Sequence, residues 1–286
     1  MPNLKDVRSR ITSVQSTRQI TSAMKMVSAA KLKRAQDAIT QMRPYAEKLS
    51  AIISNVSSTL GDNESDYSIQ REVKNTLIIA ISGNRGLCGG FNNNIAKEVK
   101  ELNANITGGV EVLFLGKKAH DFTSKVISKS TVNTGIFDEL SFENSKAISA
   151  EVMAKYVAGD YDKVLVVYNS FKNAATQIVR TEQVLPMSVS AEQAVTNDSN
   201  TDYIYNPSKE EIIEELLPKS IHLQVYKGIL DSVASEHGAR MTAMHKATDN
   251  ASEMLKELKL TYNKARQAAI TNEILEICAG AEALNG

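Results

Sequence analysis

Two long heptad repeats, one at each end of the chain, constrain the fold more than any other feature. Alternate steps of three and four residues from Leu4 give Leu4, Val7, Ile11, Val14, Arg18, Thr21, Lys25, Ser28, Leu32, Ala35, Ile39, Met42, Ala46, Leu49, Ile53 and Val56. Twelve of these sixteen are apolar and the register never slips, which is the pattern of a coiled-coil seam. Asn3 with Asp6 reads as the helix start, and Leu60-Gly61-Asp62-Asn63 as its end. As a helix, residues 3–57 would reach about 80 Å. Pro44 falls inside the pattern, but the heptad resumes beyond it, so a kink is expected there rather than a stop.

The second heptad starts at Leu223 and runs through Tyr226, Leu230, Val233, His237, Arg240, Met244, Ala247, Ala251, Met254, Leu258, Thr261, Ala265, Ala268, Asn272, Leu275 and Ala279. Ser208 with Glu211 forms a capping box ahead of it, and Pro218 predicts a short separate helix before the long one. Two long heptad helices at the ends of one chain can bury their seams against each other. With a globular insert between them, that pair can be antiparallel. The second helix is the longer, so its end should project. That end carries Ile270, Ile274 and Ile277 on one side while Leu275 and Ala279 continue the seam on another. A helix that is apolar on more than one face wants enclosure, by another protein or by a copy of itself.

In the first heptad, the seam turns polar from Arg18 to Ser28, and the apolar residues move aside to Ile20, Ala23, Met24, Val27 and Ala30. Two readings are open. A straight helix drifts against a heptad, or this face meets something specific.

The middle alternates β and α. Strand patterns lie at Thr76–Ser82, Val110–Gly116, Lys163–Tyr168 and Thr176–Thr181, with helical patterns at Ile95–Leu102, Lys117–Lys125 and Ser145–Val157. Such alternation implies an α/β fold with a mainly parallel sheet. Residues 183–207 read as an irregular connector. Aromatics are only 5% of the chain and Trp is absent, which suits Ala-, Leu- and Ile-seamed helices.

The net charge of zero hides an uneven distribution. Residues 1–50 carry ten Lys/Arg against three Asp/Glu, a balance of +7, and residues 219–286 carry eight of each. The middle therefore holds 15 basic and 22 acidic residues, or −7. The basic N-terminal helix would suit an acidic protein, a membrane or nucleic acid. Its run Lys31-Leu-Lys-Arg34 has no interleaved aromatics for base stacking, so an acidic protein is the expected partner and nucleic acid is not. Cys88 and Cys278 stand 190 positions apart with no CxxC or Cys/His cluster, so neither a disulfide framework nor a metal site is expected. No run approaches 18 apolar residues.

SGNRGLCGGFN, Ser82–Asn92, follows a buried-strand pattern and looks like a phosphate cradle. Its spacing, G-x-x-G-x-x-G-G, matches neither G-x-G-x-x-G nor the P-loop, and no acid closes the next strand. A tight strand-to-helix turn, with glycines permitting close packing, is the better reading, and no cofactor is expected. His237 and His245 are more than 10 Å apart along a helix, too far to share a metal. No Ser/His/Asp grouping has local support, so catalysis by this chain is not expected.

Four blocks carry a resemblance over essentially the full length: ITSAMKMVSAAKLKRAQ (20–36) with RPYAE (43–47), SGNRGLCGGFN (82–92), SEHGARMTAMHKATDNA (235–251) and YNKARQAAITNEILEI (262–277). In their order and spacing they closely resemble the gamma subunit of the F-type ATP synthase. The resemblance implies a long antiparallel coiled coil of residues 1–60 and 208–286, with an inserted Rossmann-like α/β domain over residues 75–207. It implies a central rotor shaft inside a hexamer of alpha and beta subunits. The α/β domain would sit with the epsilon subunit on the membrane c ring. The chain itself would be a non-catalytic subunit of the proton-translocating enzyme, bound to the membrane only through the complex.

By matching positions, Arg266, Gln267, Thr271 and Glu273 resemble the residues that meet a beta-subunit loop. Met24, Lys25, Lys31 and Arg34 resemble the stretch facing beta's acidic lever segment. Tyr203-Ile-Tyr205 is followed by Asn206 where some members have an acid, and the region near 195–205 lacks the cysteine pair of the chloroplast form. The opening MPNLKDVRSRITSV leads straight into a helix pattern, so a bacterial origin without a cleaved leader is expected, with the complex at the cytoplasmic face of the cell membrane. A generic coiled-coil tether is the alternative. It would account for the heptads but not for the four blocks.

Overall fold

The computed structural model describes residues 4–57, 66–187 and 209–285. The heptads form its two longest elements, α1 (Leu4–Ser57) and α5 (Lys209–Asn285). As expected, α1 continues through Pro44. So does α5 through Pro218, which corrects the expectation of a separate short helix. An interior proline costs about 3 kcal/mol. Leu217 and Ile221 on either side of it are both buried, and each contributes about 1.5–3 kcal/mol. The packing outweighs the break. The readings at Asn3, Leu60–Asn63, Tyr203–Asn206 and Ser208 lie outside the described residues.

Between the long helices come β1 (Asn75–Ile81), α2 (Phe91–Asn105), β2 (Gly109–Leu115), α3 (Lys117–Thr123), β3 (Ser130–Asn133), a 3-10 turn (Gly135–Phe137), α4 (Phe142–Ala158), β4 (Lys163–Asn173) and β5 (Thr176–Leu185). They build one sheet in the order β3-β2-β1-β4-β5, parallel except for the β4–β5 hairpin. β3, the sequence STVN, escaped notice because four residues with one aliphatic carry no pattern. β5 extends to Leu185, with Val184 and Leu185 buried, so the irregular connector begins later than residue 183.

β1 is apolar on both faces because both are covered. Leu77, Ile79 and Ile81 join Val164, Val166 and Tyr168 under α4 and α5, which contribute Val152, Met153, Tyr156, Ile221, Val225 and Ile229. Ile78 and Ala80 join Val112, Phe114 and Val167 under α2 and α3, which contribute Ile95, Ala96, Val99 and Ala119. Gly116, between β2 and α3, has φ +102°, and a Cβ there would collide with the Ser82 carbonyl, so only glycine lets the two strand ends approach.

The chain divides into two compact units, Ala29–Arg240 and Met1–Ser28 with Met241–Gly286. In the first, α5 is buried nearly all round between Leu217 and Arg240, because it covers the sheet on one side and meets α1 on the other, where Leu217 and Leu223 pack on Leu49 and Ile53. In the second, Thr21 meets Thr248 while Leu4 lies beside Arg266 to Glu276, so the two helices run antiparallel.

Every described seam position of α1 from Leu4 to Ile53 is buried or half-buried. The seam therefore does not drift where it turns polar. Thr21 and Ser28 are buried, and their hydroxyls donate to the carbonyls of Arg18 and Met24 on their own helix. The seam of α5 does shift. Leu255, not Met254, is buried, so Ala247, Ala251 and Leu255 make two successive steps of four. That is a stutter, which locally unwinds a coiled coil.

Candidate partner-contact surfaces

The opening between the C-terminal ends of β1 and β4 is the switch point of this sheet, where α/β folds usually hold a ligand. Here α5 fills it. Ser232 donates to the carbonyl of Ile81 at 3.4 Å, and Ser235 to that of Asn169 at 2.9 Å. Glu236 and Arg240 pair at 2.6 Å with side chains only 12% and 10% exposed. Arg240 also donates to the carbonyls of Arg85 and Gly86 at 3.4 and 3.3 Å, clamping the glycine loop.

A Cβ on Gly83 would lie 2.9–3.0 Å from the Glu236 carboxyl group. A carboxylate thus stands where a phosphate cradle would need room. The Gly83 amide donates to Asn92 Oδ1 at 2.8 Å, and the Lys117 and Ala119 amides donate to Asn84 Oδ1 and Ser82 Oγ. The loop is a packing turn, as its spacing suggested. The sequence reading missed the Glu236–Arg240 clamp, although both residues lie within SEHGAR and are four apart.

Lys31 and Arg34 are exposed and line a groove together with Ala35, Ala38, Leu140, Tyr226, Leu230, Val233 and His237. Its lining combines two cations with mainly apolar side chains. Burial first, then Arg240 and Lys31, push the His237 pKa down to about 4, so this imidazole is neutral at physiological pH. In the other unit, Met24 and Lys25 are half-buried. Beside them Ile20 and Val27 are 60% and 58% exposed, so the displaced apolar residues form an outward stripe separate from the seam.

Arg266, Gln267, Ile270, Thr271, Glu273, Ile274 and Ile277 are all exposed. Arg266, Ile270 and Glu273 border one shallow groove with Leu4. The Thr271 hydroxyl donates its proton to the Gln267 carbonyl at 2.9 Å, which leaves its oxygen as an acceptor. From Ala269 to Glu282 every α5 side chain is exposed, and Ile270, Ile274, Leu275 and Ile277 present large apolar surface. Among the described residues no helix is long and apolar enough to cross a membrane.

These features define a class: one unit is an α/β domain with its switch-point crevice closed, and the other is a pair of antiparallel helices in which α5 is bare from Ala269 to Glu282. The chain matches the family model described as ATP synthase over residues 3–284. It is 60% identical to an ATP synthase gamma chain of Flavobacterium psychrophilum, 57% to that of Christiangramia forsetii and 54% to that of Cytophaga hutchinsonii, in each case over the full length of both chains. It belongs to the F-type ATP synthase gamma chain family, the central-stalk subunit.

Among solved structures, the central stalk and c-ring of Tetrahymena thermophila mitochondrial ATP synthase holds a chain 29% identical, with a TM-score of 0.59 over 80% of this chain and 99% of that one. A chain of the Euglena gracilis mitochondrial enzyme, in a structure of OSCP, F1 and c-ring, is 23% identical with a TM-score of 0.70 over 98% and 94%, a likeness of fold alone.

Proposed function

We propose that this chain is the rotor shaft that couples rotation of the membrane c ring to conformational cycling of the catalytic beta subunits. The observation that carries this reading is the bare tip: large apolar side chains at Ile270, Ile274 and Ile277 are left uncovered on a helix whose earlier turns are buried. The chain is non-catalytic, and its switch-point crevice is taken up by Glu236 and Arg240. Its partners are the alpha and beta subunits, the epsilon subunit and the c ring. It lies at the cytoplasmic face of the bacterial membrane, held there through the complex. Residues 1–60 and 208–286 are its coiled-coil parts, and residues 75–207 its α/β domain with connector.

The mechanism rests on asymmetry. At any angle a shaft of this kind presents a different surface to each of three chemically equivalent beta subunits. A contact shifts a beta conformation only by its differential free energy between states, and about 1.4 kcal/mol changes a population ratio tenfold. The exposed apolar tip permits turning, since apolar contact is non-directional. Polar groups supply bias. Arg266, Gln267, Thr271 and Glu273 meet a beta loop, while Met24, Lys25, Lys31 and Arg34 face an acidic beta segment, for which the mainly apolar groove lined by Lys31 and Arg34 is suited in charge and shape.

The substitution Met24→Lys tests this. Added charge on the face beside the Ile20–Val27 stripe should lower proton pumping per ATP hydrolysed while nucleotide binding persists. Unchanged coupling would overturn the assignment of this face.

A further inference from the structure

We propose that the first half of α4, residues 142–150, is an acid-sensitive flap latched to α5 by the Ser149–His222 pair, and that its opening reshapes the groove lined by Lys31 and Arg34. Only the use of that groove rests on the rotor reading.

Two contacts cross between the helices there. The rings of Phe142 and Tyr226 meet edge-on with centres 5.5 Å apart, and the Ser149 hydroxyl stands 2.6 Å from His222 Nδ1. The two halves of α4 are held differently. The second half buries Val152, Met153 and Tyr156 in the core beneath the sheet. In the first half the buried side chains are serines, Ser145 and Ser149, while Phe142 and Ile148 are half-buried. Among the described residues the Ser145 hydroxyl has no hydrogen-bond partner, so its burial works against packing. A segment with so little buried apolar surface opens at lower cost than its neighbours.

The latch depends on the charge of the imidazole. A neutral ring can accept or donate at Nδ1, whereas an imidazolium only donates. The Ser149 hydroxyl has one proton, and the carbonyls of Ser145 and Lys146 on its own helix compete for it at 3.0 and 3.1 Å. Burial first, then Lys146 on α4, lower the pKa of His222. Among the described residues no carboxylate lies within 4.0 Å of its ring to offset a proton. Tyr226, one turn along α5, is a phenol whose pKa burial raises, so it stays neutral. On the α1 side the adjoining Leu223 packs with Leu49, Ile53 and Tyr67, which bring no carboxylate. An open flap therefore takes a proton at His222 more readily than a latched one. The latch is complete above about pH 6.5 and weakens as pH falls below it. Leu140, two residues before α4, and Tyr226, which Phe142 covers, both line the groove, so opening removes its support.

Hydrogen exchange of the full-length chain, corrected for the intrinsic pH dependence of amide exchange, tests this. From pH 7 to pH 5, protection at residues 146–150 should fall about fivefold or more relative to α2. In Lys146→Glu, a change at an exposed position, the fall should shrink, because the new carboxylate favours the proton on the latched ring. In His222→Gln, which never titrates, it should vanish. No fall, a fall that α2 shares equally, or one that persists undiminished in either variant would overturn the proposal. None of these results bears on the rotor reading, which subunit assembly tests separately.

Discussion

The hydroxyls of Thr21 and Thr248 meet at 2.8 Å across the antiparallel helices, and the Thr21 hydroxyl donates in turn to the Arg18 carbonyl. A polar contact across the seam favours this register, since a slip would separate the two hydroxyls and leave each only the carbonyl of its own helix, Arg18 for Thr21 and Met244 for Thr248. Changing either residue to Val should cost about 0.5–1.5 kcal/mol, and the double change should cost less than the sum. Urea unfolding of the four proteins checks this. Strictly additive costs would mean the two residues do not interact.

The clamp at the glycine loop makes a larger prediction. Arg240→Ala leaves Glu236 without its cation in a nearly closed site and frees the carbonyls of Arg85 and Gly86. Breaking a buried pair from one side costs roughly 3–5 kcal/mol. Melting should show the loss, and hydrogen exchange should quicken at the amides of residues 83–90. Unaltered exchange there would contradict the clamp.

Acid should weaken the fold through His237. Its native pKa is about 4, against about 6.5 in an unfolded chain. Between those values the unfolded state binds more protons, so stability rises with pH across the window. The stability tied to the neutral imidazole is complete above pH 6.5 and is lost as pH falls toward 4. Burial, and then Lys146, lower the pKa of His222 too, so it acts in the same direction. His237→Gln, which never titrates, should flatten the decline between about pH 6.5 and about pH 4. An unchanged slope would refute the assignment.

At the tip, stability and function should separate. Ile274 and Ile277 are 54% and 69% exposed, so changing both to Ser should alter unfolding free energy by no more than about 0.5 kcal/mol each. The same variant should impair ATP-driven proton pumping by the assembled enzyme. Full activity would show that the apolar tip is not a contact surface.

How legible these features were depended on how much of each signal was local. The heptads set α1 and α5 because an apolar period of about 3.5 residues over many turns has no competing reading. The β1 run TLIIAI announced a strand covered on both faces. What stayed hidden was tertiary. Pro218 looked like a break until Leu217 and Ile221 were seen to pack on both sides of it. Met254 looked like a seam residue because a strict heptad cannot register a stutter. The second role of α5, covering the sheet, was masked by the heptad, since Ile221, Val225 and Ile229, which pack under the sheet, are not seam positions. The glycine loop was read correctly as a packing turn from its spacing, but Glu236 and Arg240, which occupy the space, lie far along the sequence, Arg240 being 155 positions beyond Arg85. Among the contact residues, exposure of Ile270, Ile274 and Ile277 followed from the seam pattern. The roles of Arg266, Gln267, Thr271 and Glu273 came from the family resemblance, since nothing local distinguishes one polar residue on an exposed helix from another.

The most direct measurement is reconstitution. The purified chain is mixed with alpha and beta subunits, separated by size exclusion, and assayed for Mg-ATP hydrolysis with and without it. The rotor reading requires one copy of this chain for three alpha–beta pairs, no hydrolysis by the chain alone, and higher hydrolysis on assembly. Hydrolysis by the chain alone, or its failure to join the alpha–beta complex, would contradict it.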